Sequence, residues 1–232
     1  MSRSMTSNLL GEVGEPRRGS AIISAGELIA REGIELHKGM NFRPSSQGDS
    51  GELLSVFLVL ESERGFRDAW DEARGVYAYK GHDSTTVEGG KLRDQVAMYE
   101  SGKLTDNGRF LKAAQEYKDG VRKEPLQIQI YEKVTPGVWF DKGIFDLIDA
   151  EHVSEEGRKA FKFYLRPVIG ELSREDQAER MISAEAKAAA WQRQSGRCSV
   201  CGSEVELHFV GSEGNVRLAC AEHSSRQKRG LL

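Results

Sequence analysis

The chain has 232 residues, with 33 Lys and Arg against 36 Asp and Glu and a formal net charge of −3. That balance gives no general nucleic-acid signature, so any binding of DNA or RNA has to come from a local basic face. No apolar run approaches the roughly 18 residues of a membrane span, and residues 1–20 lack the apolar centre of a secretory signal; no membrane partner and a cytoplasmic location are the expectations.

Residues 1–20 are rich in Ser, Gly, Glu and Arg, bury little, and read as a mobile N-terminal arm. Ser24 is an N-cap candidate for a short helix that Gly33 should stop. Residues 43–51 form a polar loop. The run Leu53–Leu60 is apolar with little alternation and reads as a central buried strand, with 76–79 as its neighbour. The segment 84–95 is a polar loop. Phe110, Leu111, Ala114 and Tyr117 have helical spacing between Gly108 and Gly120, and Leu126–Tyr131 alternates with the period of a half-buried strand. Two further alternating strands, 138–148 and 159–166, form a hairpin. Ser173 caps a helix whose Ala-rich run continues to Gln194, and this helix reads as a connector between domains.

All three cysteines lie between 198 and 220, an odd number in one short block, which argues for metal ligation rather than a disulfide framework. Cys198-Ser-Val-Cys201 and Cys220-Ala-Glu-His223 supply three thiolates and one imidazole at spacings suited to a closed tetrahedral Zn²⁺ site. Structural zinc would replace the core that a block of about 35 residues cannot build by burial alone.

The order Tyr77-Ala-Tyr-Lys-Gly-His-Asp83, then Asp94-Gln95, then the hairpin over 138–165 resembles the SRA fold, a PUA-like module that holds DNA by flipping a modified cytosine into a pocket. The resemblance covers residues 25–168. It implies that Phe66 and Tyr79 sandwich the base and that Asp71 accepts from the cytosine amine, with Asp68 a rival carboxylate and Trp70 a rival stacking ring. Arg64-Gly65-Phe66 stands where the family has Gly-Gly-Tyr, and the loop is longer. Lys103-Leu-Thr-Asp-Asn-Gly-Arg109 resembles the family's finger loop, which implies that Asn107 and Arg109 enter the duplex where the base has left it. Lys80, Lys103, Lys112, Lys118, Arg122 and Lys123 would contact phosphates, positioning without specifying sequence. His82-Asp83 is expected to fix the loop after Tyr79 through hydrogen bonds.

The C-terminal order of Cys-x-x-Cys, Leu207-His208, Asn215-Val-Arg-Leu-Ala-Cys220 and a basic helix resembles the zinc-bearing HNH nuclease module. That resemblance implies His208 as the base that activates water and Asn215 as support for a catalytic divalent metal. Ser224 stands where the family's last histidine is common, Leu207 where an acidic or histidine neighbour is common, and the interval from His208 to Asn215 is short. A degenerate, structural or DNA-contacting finger and an active metal-dependent endonuclease therefore both stay open, and so does the question of enzyme activity.

The expectation is an α+β protein: arm 1–20, PUA-like SRA β-barrel 21–170, helical connector 171–195, and a treble-clef or HNH-like zinc module 196–232. It implies a partner, double-stranded DNA carrying modified cytosine, most simply 5-methylcytosine, in methylation-dependent restriction or modified-DNA sensing as in bacterial restriction proteins, with nucleoid association when DNA is bound. RNA binding by a PUA-like barrel is the further alternative. If both strands are engaged, Met181, Ile182 and Trp191 offer a homodimer interface; otherwise their helix packs on its own barrel.

Overall fold

The computed structural model describes residues 21–33, 35–37, 39–44, 53–61, 69–71, 73–83, 93–155, 157–168, 174–212 and 214–228. The N-terminal arm, Phe66, Asp68, Ser173 and the loop 84–92 lie outside these residues. The elements are β1 (Ile22–Ser24), α1 (Ala25–Glu32), β2 (Gly39–Pro44), β3 (Leu53–Glu61), β4 (Ala69–Asp71), β5 (Val76–Lys80), α2 (Asp106–Lys118), β6 (Leu126–Thr135), β7 (Val138–Glu155), β8 (Arg158–Pro167), α3 (Arg174–Met181), α4 (Ala184–Gln194), β9 (Leu207–Val210), β10 (Arg217–Cys220) and α5 (Ala221–Lys228). No helix among the described residues is long and apolar enough to cross a membrane.

Local chemistry sets the first helix. Ser24 Oγ accepts from Glu27 N at 3.2 Å, the Glu27 carboxylate accepts from Ser24 N at 3.0 Å, and Gly33 at φ 68° ends the helix by donating to Ile29 O. This reciprocal cap satisfies donors that a helix start leaves open.

The large sheet runs β2-β3-β6-β7-β8-β5-β4, with β1 added against β7. β3 and β6 are parallel, and the other pairs are antiparallel. β3 lies inside the sheet, as its unbroken apolar run predicts. The strand at 76–79 is not its neighbour: β5 pairs with β4 on one side and β8 on the other, so both of its hydrogen-bonding edges are taken. β2, at one end of the strand order, nevertheless lies close to the end of β5. A Cβ on Gly39 of β2 would stand 2.9 Å from His82 Nδ1 and 3.6 Å from the Tyr79 hydroxyl.

β7 and β8 form the expected hairpin, each strand running further toward the turn than the pattern indicated. Within β7 the register against β6 slips opposite Ile130 and Tyr131, making Lys142 the extra residue. The next residue, Gly143, has φ 84°, and a Cβ there would collide with the Arg180 guanidinium of α3. A side chain is thus barred twice, by backbone and by space.

The main core lies on one face of the sheet. Phe110 and Ala114 of α2, fully buried, pack against Ile128, Ile130, Phe161 and Phe163, with Phe110 and Phe163 edge to face at 5.3 Å. A second cluster joins Val134 and Phe140 of the sheet to Ile182, Ala190, Leu207 and Phe209, so the C-terminal block shares its core with the sheet. Ile128, Ile130, Glu132 and Val134 alternate onto one side of β6, which sets the buried Glu132 between the two clusters. Its carboxylate accepts from Lys187 Nζ at 2.6 Å and from Lys142 Nζ at 3.1 Å, while the Lys187 ammonium sits 3.8 Å from the Phe140 ring centroid. Burial raises the Glu132 pKa, but the two ammonium groups more than offset it and hold the carboxyl below its ordinary value. Burial and the neighbouring Lys142 lower Lys187 to about 8 despite Glu132.

The connector is two helices rather than one. Ser183 leaves the helical conformation at ψ 154° and its side chain accepts from Ala186 N, so it caps α4, while the adjacent Ile182 turns into the second cluster. Ile182 is buried there and Trp191 packs against the same cluster, with Gly196 lying beneath the Trp191 ring. These two side chains pack within their own chain, which leaves no support for a dimer through them.

Candidate functional site

The four zinc-ligand candidates come together. The Cys198–Cys201 turn precedes the β9–β10 hairpin, whose last residue is Cys220, and His223 lies one turn into α5. All four donor atoms lie within 4.8 Å of one another. Cys201 Sγ is 3.8 Å from Cys220 Sγ, and His223 Nδ1 is 3.6 Å from Cys198 Sγ and 3.1 Å from Cys220 Sγ. A tetrahedral Zn²⁺ with Zn–S about 2.3 Å and Zn–N about 2.0 Å puts its donors about 3.5–3.8 Å apart. The residues could hold a metal ion and are compatible with zinc. Burial pushes the Cys198 thiol pKa up, but backbone N–H groups of Cys201, Cys220 and Val200 outweigh it and bring the thiol to about 6, favouring the thiolate that a metal needs.

His208 and Asn215 sit on the same hairpin in different settings. His208, on β9, is 20% exposed, and its Nδ1 lies 3.5 Å from a Glu179 carboxylate oxygen on α3. The other Glu179 oxygen accepts from Phe209 N at 2.7 Å. Asn215 is exposed in the turn between the strands, where its N–H donates to Ser212 O. Ser224 is buried and its hydroxyl donates to Ala221 O. Sequence reasoning missed Glu179, and nothing in its local pattern separates it from an ordinary surface acid of a helix.

The pieces of the tyrosine motif, scattered from 79 to 158 in the chain, meet around Gly81. Gly81 donates to Phe161 O, while Gln95, 4% exposed, donates through its amide to Gly81 O at 2.6 Å and to Asp83 at 2.8 Å and accepts from Phe161 N at 2.8 Å. Asp94 accepts from Lys159 N at 2.7 Å. Arg158 grips both Asp83 oxygens, at 2.6 and 3.1 Å. Asn107 accepts from His82 N and donates to His82 O, each at 2.8 Å. A Cβ on Gly81 would fall 2.6 Å from the Gln95 amide oxygen and 2.7 Å from that of Asn107, so only glycine leaves room for this knot. His82 and Asp83 thus fix the loop as expected.

The base-binding and DNA-binding candidates separate. The register pairs Trp70 with Tyr77, so Trp70, Tyr77 and Tyr79 share one face of the β4–β5 hairpin; Asp71, opposite Val76, lies on the other face. Tyr79 is 4% exposed and stacks on Phe163 within the main core. Asp71 accepts from Arg74 N at 3.1 Å, closing the local turn. Residues 106–109 of the expected finger loop are the first turn of α2, and Thr105 caps the helix by accepting from Gly108 N. Asn107 is accordingly buried and engaged with His82, whereas Arg109 is exposed, 3.9 Å from Asp106 and 5.0 Å from the Phe42 ring centroid. Lys80 is paired with Glu155 at 3.1 Å, and that bond together with Lys162 lowers the Glu155 pKa. Lys112, Lys118 and Arg122 pair with Glu116 or Asp149, while Lys103 is exposed without an ion pair among the described residues.

No family model and no curated protein matches this sequence. Among solved structures, the SUVH5 SRA complex with fully methylated CG DNA is 19% identical with a TM-score of 0.46, over 67% of this chain and 90% of that one. The SUVH5 SRA bound to fully hydroxymethylated CG DNA is 18% identical with a TM-score of 0.45, over 65% and 88%. The DNA modification-dependent restriction endonuclease AspBHI is 15% identical with a TM-score of 0.42, over 60% and 65%. Similarity at this level is too low to assign an activity.

Proposed function

We propose that this chain is an SRA-type reader that binds duplex DNA carrying modified cytosine, 5-methylcytosine in the simplest case, and turns the base out of the stack. The observation that carries the reading is the knot around Gly81. Gly81, His82 and Asp83 of the Tyr79-Lys-Gly-His-Asp motif are tied to Gln95 and Asn107, further pieces behind the sequence resemblance, by buried and part-buried side-chain hydrogen bonds. Such a knot holds the end of β5 and the loop after it in one geometry, which a pocket discriminating a single methyl group requires.

Trp70 and Tyr77 are the half-buried rings on the Tyr79 face and supply the aromatic contact. Asp71 faces away from them, so the amine-reading role passes to Asp68. The C-terminal block acts as a structural zinc module, in which Glu179 orients the His208 ring. The pocket is tested by the affinity ratio of modified over unmodified duplex in Trp70→Ala, Asp68→Ala and Asp71→Ala variants. The first two should bring the ratio to about one, and Asp71→Ala should leave it within about twofold of wild type, the loss of one amine contact being worth about tenfold or more. Loss of the ratio in Asp71→Ala alone would return the role to Asp71, and retention in all three would place the pocket elsewhere.

A further inference from the structure

Between the Gly81 knot and α2 the chain makes a tight projecting turn whose tip is apolar and exposed. Of the seven exposed large hydrophobic side chains among the described residues, three fall here: Val96 at 53%, Met98 at 53% and Tyr99 at 58%. The tip is not loose. Met98 bridges to Leu104, Tyr99 N donates to Lys103 O, and Gly102 N donates to Tyr99 O. Its base is clamped as well: Thr105 N donates to Ala97 O, Thr105 Oγ1 donates to Val96 O, and a Cβ on Gly108 would collide with the Ala97 carbonyl. Gln95, immediately before the turn, grips Gly81 two residues after Tyr79, so the turn and the candidate pocket are parts of one rigid piece.

We propose that Tyr99, backed by Met98, is the wedge that enters the base stack when the target base leaves it. The inference rests on the modified-DNA reading above. Extruding a base leaves an apolar gap, and proteins that open a base step fill it with an aromatic or thioether side chain whose stacking offsets the lost base contact. Of the two residues assigned that role by the motif resemblance, Asn107 is buried and occupied with His82, and the exposed Arg109 lies against Asp106 and the Phe42 ring. Tyr99 is rigidly presented, so little ordering entropy opposes insertion. The flanks suit a phosphate backbone. Exposed Arg93, Lys103 and Lys159 surround the turn, with Glu100 as an opposing charge, and the Asp94 carboxylate is turned to Lys159 N.

The test uses the zinc-loaded full chain and matched duplexes that differ only in cytosine or 5-methylcytosine, with 2-aminopurine beside the target to report unstacking. Wild type should bind the methylated duplex more tightly and raise the fluorescence. The Met98→Ser/Tyr99→Ala double variant should lose about tenfold or more of that affinity and the fluorescence gain, keep its weak affinity for unmodified duplex within about twofold, and recover with Tyr99→Phe. Its melting temperature should match wild type, because the replaced side chains are exposed. A selective wild type with an equally selective, equally fluorescent double variant overturns the wedge and leaves the reader intact. A wild type that does not discriminate removes both. A double variant that changes the sedimentation mass but not DNA binding assigns the tip to a protein contact instead, which also overturns the wedge.

Discussion

The sheet and the C-terminal block solve the problem of burial in opposite ways. The sheet's main core is built largely from apolar side chains, among them Phe110, Ile128, Ile130, Phe161, Phe163 and Leu165, each 0–1% exposed. The C-terminal block buries only a short set of its own, Leu207, Phe209, Val216, Leu218 and Ala219, so it leans on Val134 and Phe140 of the sheet, gathers four side chains that could hold a metal, and meets a buried Lys–Glu–Lys triad at the seam. A region that can bury enough apolar surface needs no ion, whereas a small one replaces the missing burial by ligation and borrowed surface.

That contrast yields graded outcomes. The largest is metal removal: zinc affinity in small modules is on the order of 10–16 kcal/mol, so chelation or Cys198→Ala should unfold 196–228 while amide exchange of 126–165 stays protected. Simultaneous loss of both regions would show that the sheet depends on the block. Glu132→Gln should cost about 3–5 kcal/mol by urea unfolding, since it leaves two buried ammonium groups without a counter-charge. Phe163→Ala should cost a similar 3–5 kcal/mol or so through the cavity it opens in the sheet core, with zinc content unchanged.

The next effect is a pH dependence. Lys187 is held at about 8 in the folded chain against an ordinary 10.5, so between those values the unfolded state binds more protons. Stability should rise with pH across that window relative to a Lys187→Met variant, and show no Lys187 contribution to the slope below it. Glu132 carries the opposite dependence: its lowered carboxyl contributes stability above the ordinary carboxylate pKa, which is lost as pH falls through the folded value. The smallest effect is Ser183→Ala, about 1 kcal/mol from losing the α4 cap, read as a small shift in the urea midpoint.

The Cys198, Cys201, Cys220 and His223 cluster was legible because paired x-x spacings are a geometric statement made in sequence, and the Ser24 cap because its partners lie three residues apart. The hairpin over 138–165 was legible from its alternation. What could not be read depends on distant partners. The place of β5 beside β8 is set by tertiary pairing, and the break at Ile182–Ser183 hides inside a run of good helix formers, where Ser183 before Ala-Glu was the available signal. Lys187 reads as a surface lysine until Glu132, 55 residues earlier, is seen 2.6 Å away, and Asn107 reads as a loop residue until His82 is found in its grasp. At the candidate site, the register sets the rival ring Trp70 on the Tyr79 face and Asp71 on the other, a distinction that spacing alone does not fix.

The measurement that bears most directly on the account is the affinity of the zinc-loaded chain for matched duplexes containing cytosine, 5-methylcytosine or 5-hydroxymethylcytosine, at one near-physiological salt concentration so that phosphate contacts contribute equally. The account predicts tighter binding to a modified duplex by about tenfold or more, the scale of one well-placed base contact. Equal binding to all three would contradict it.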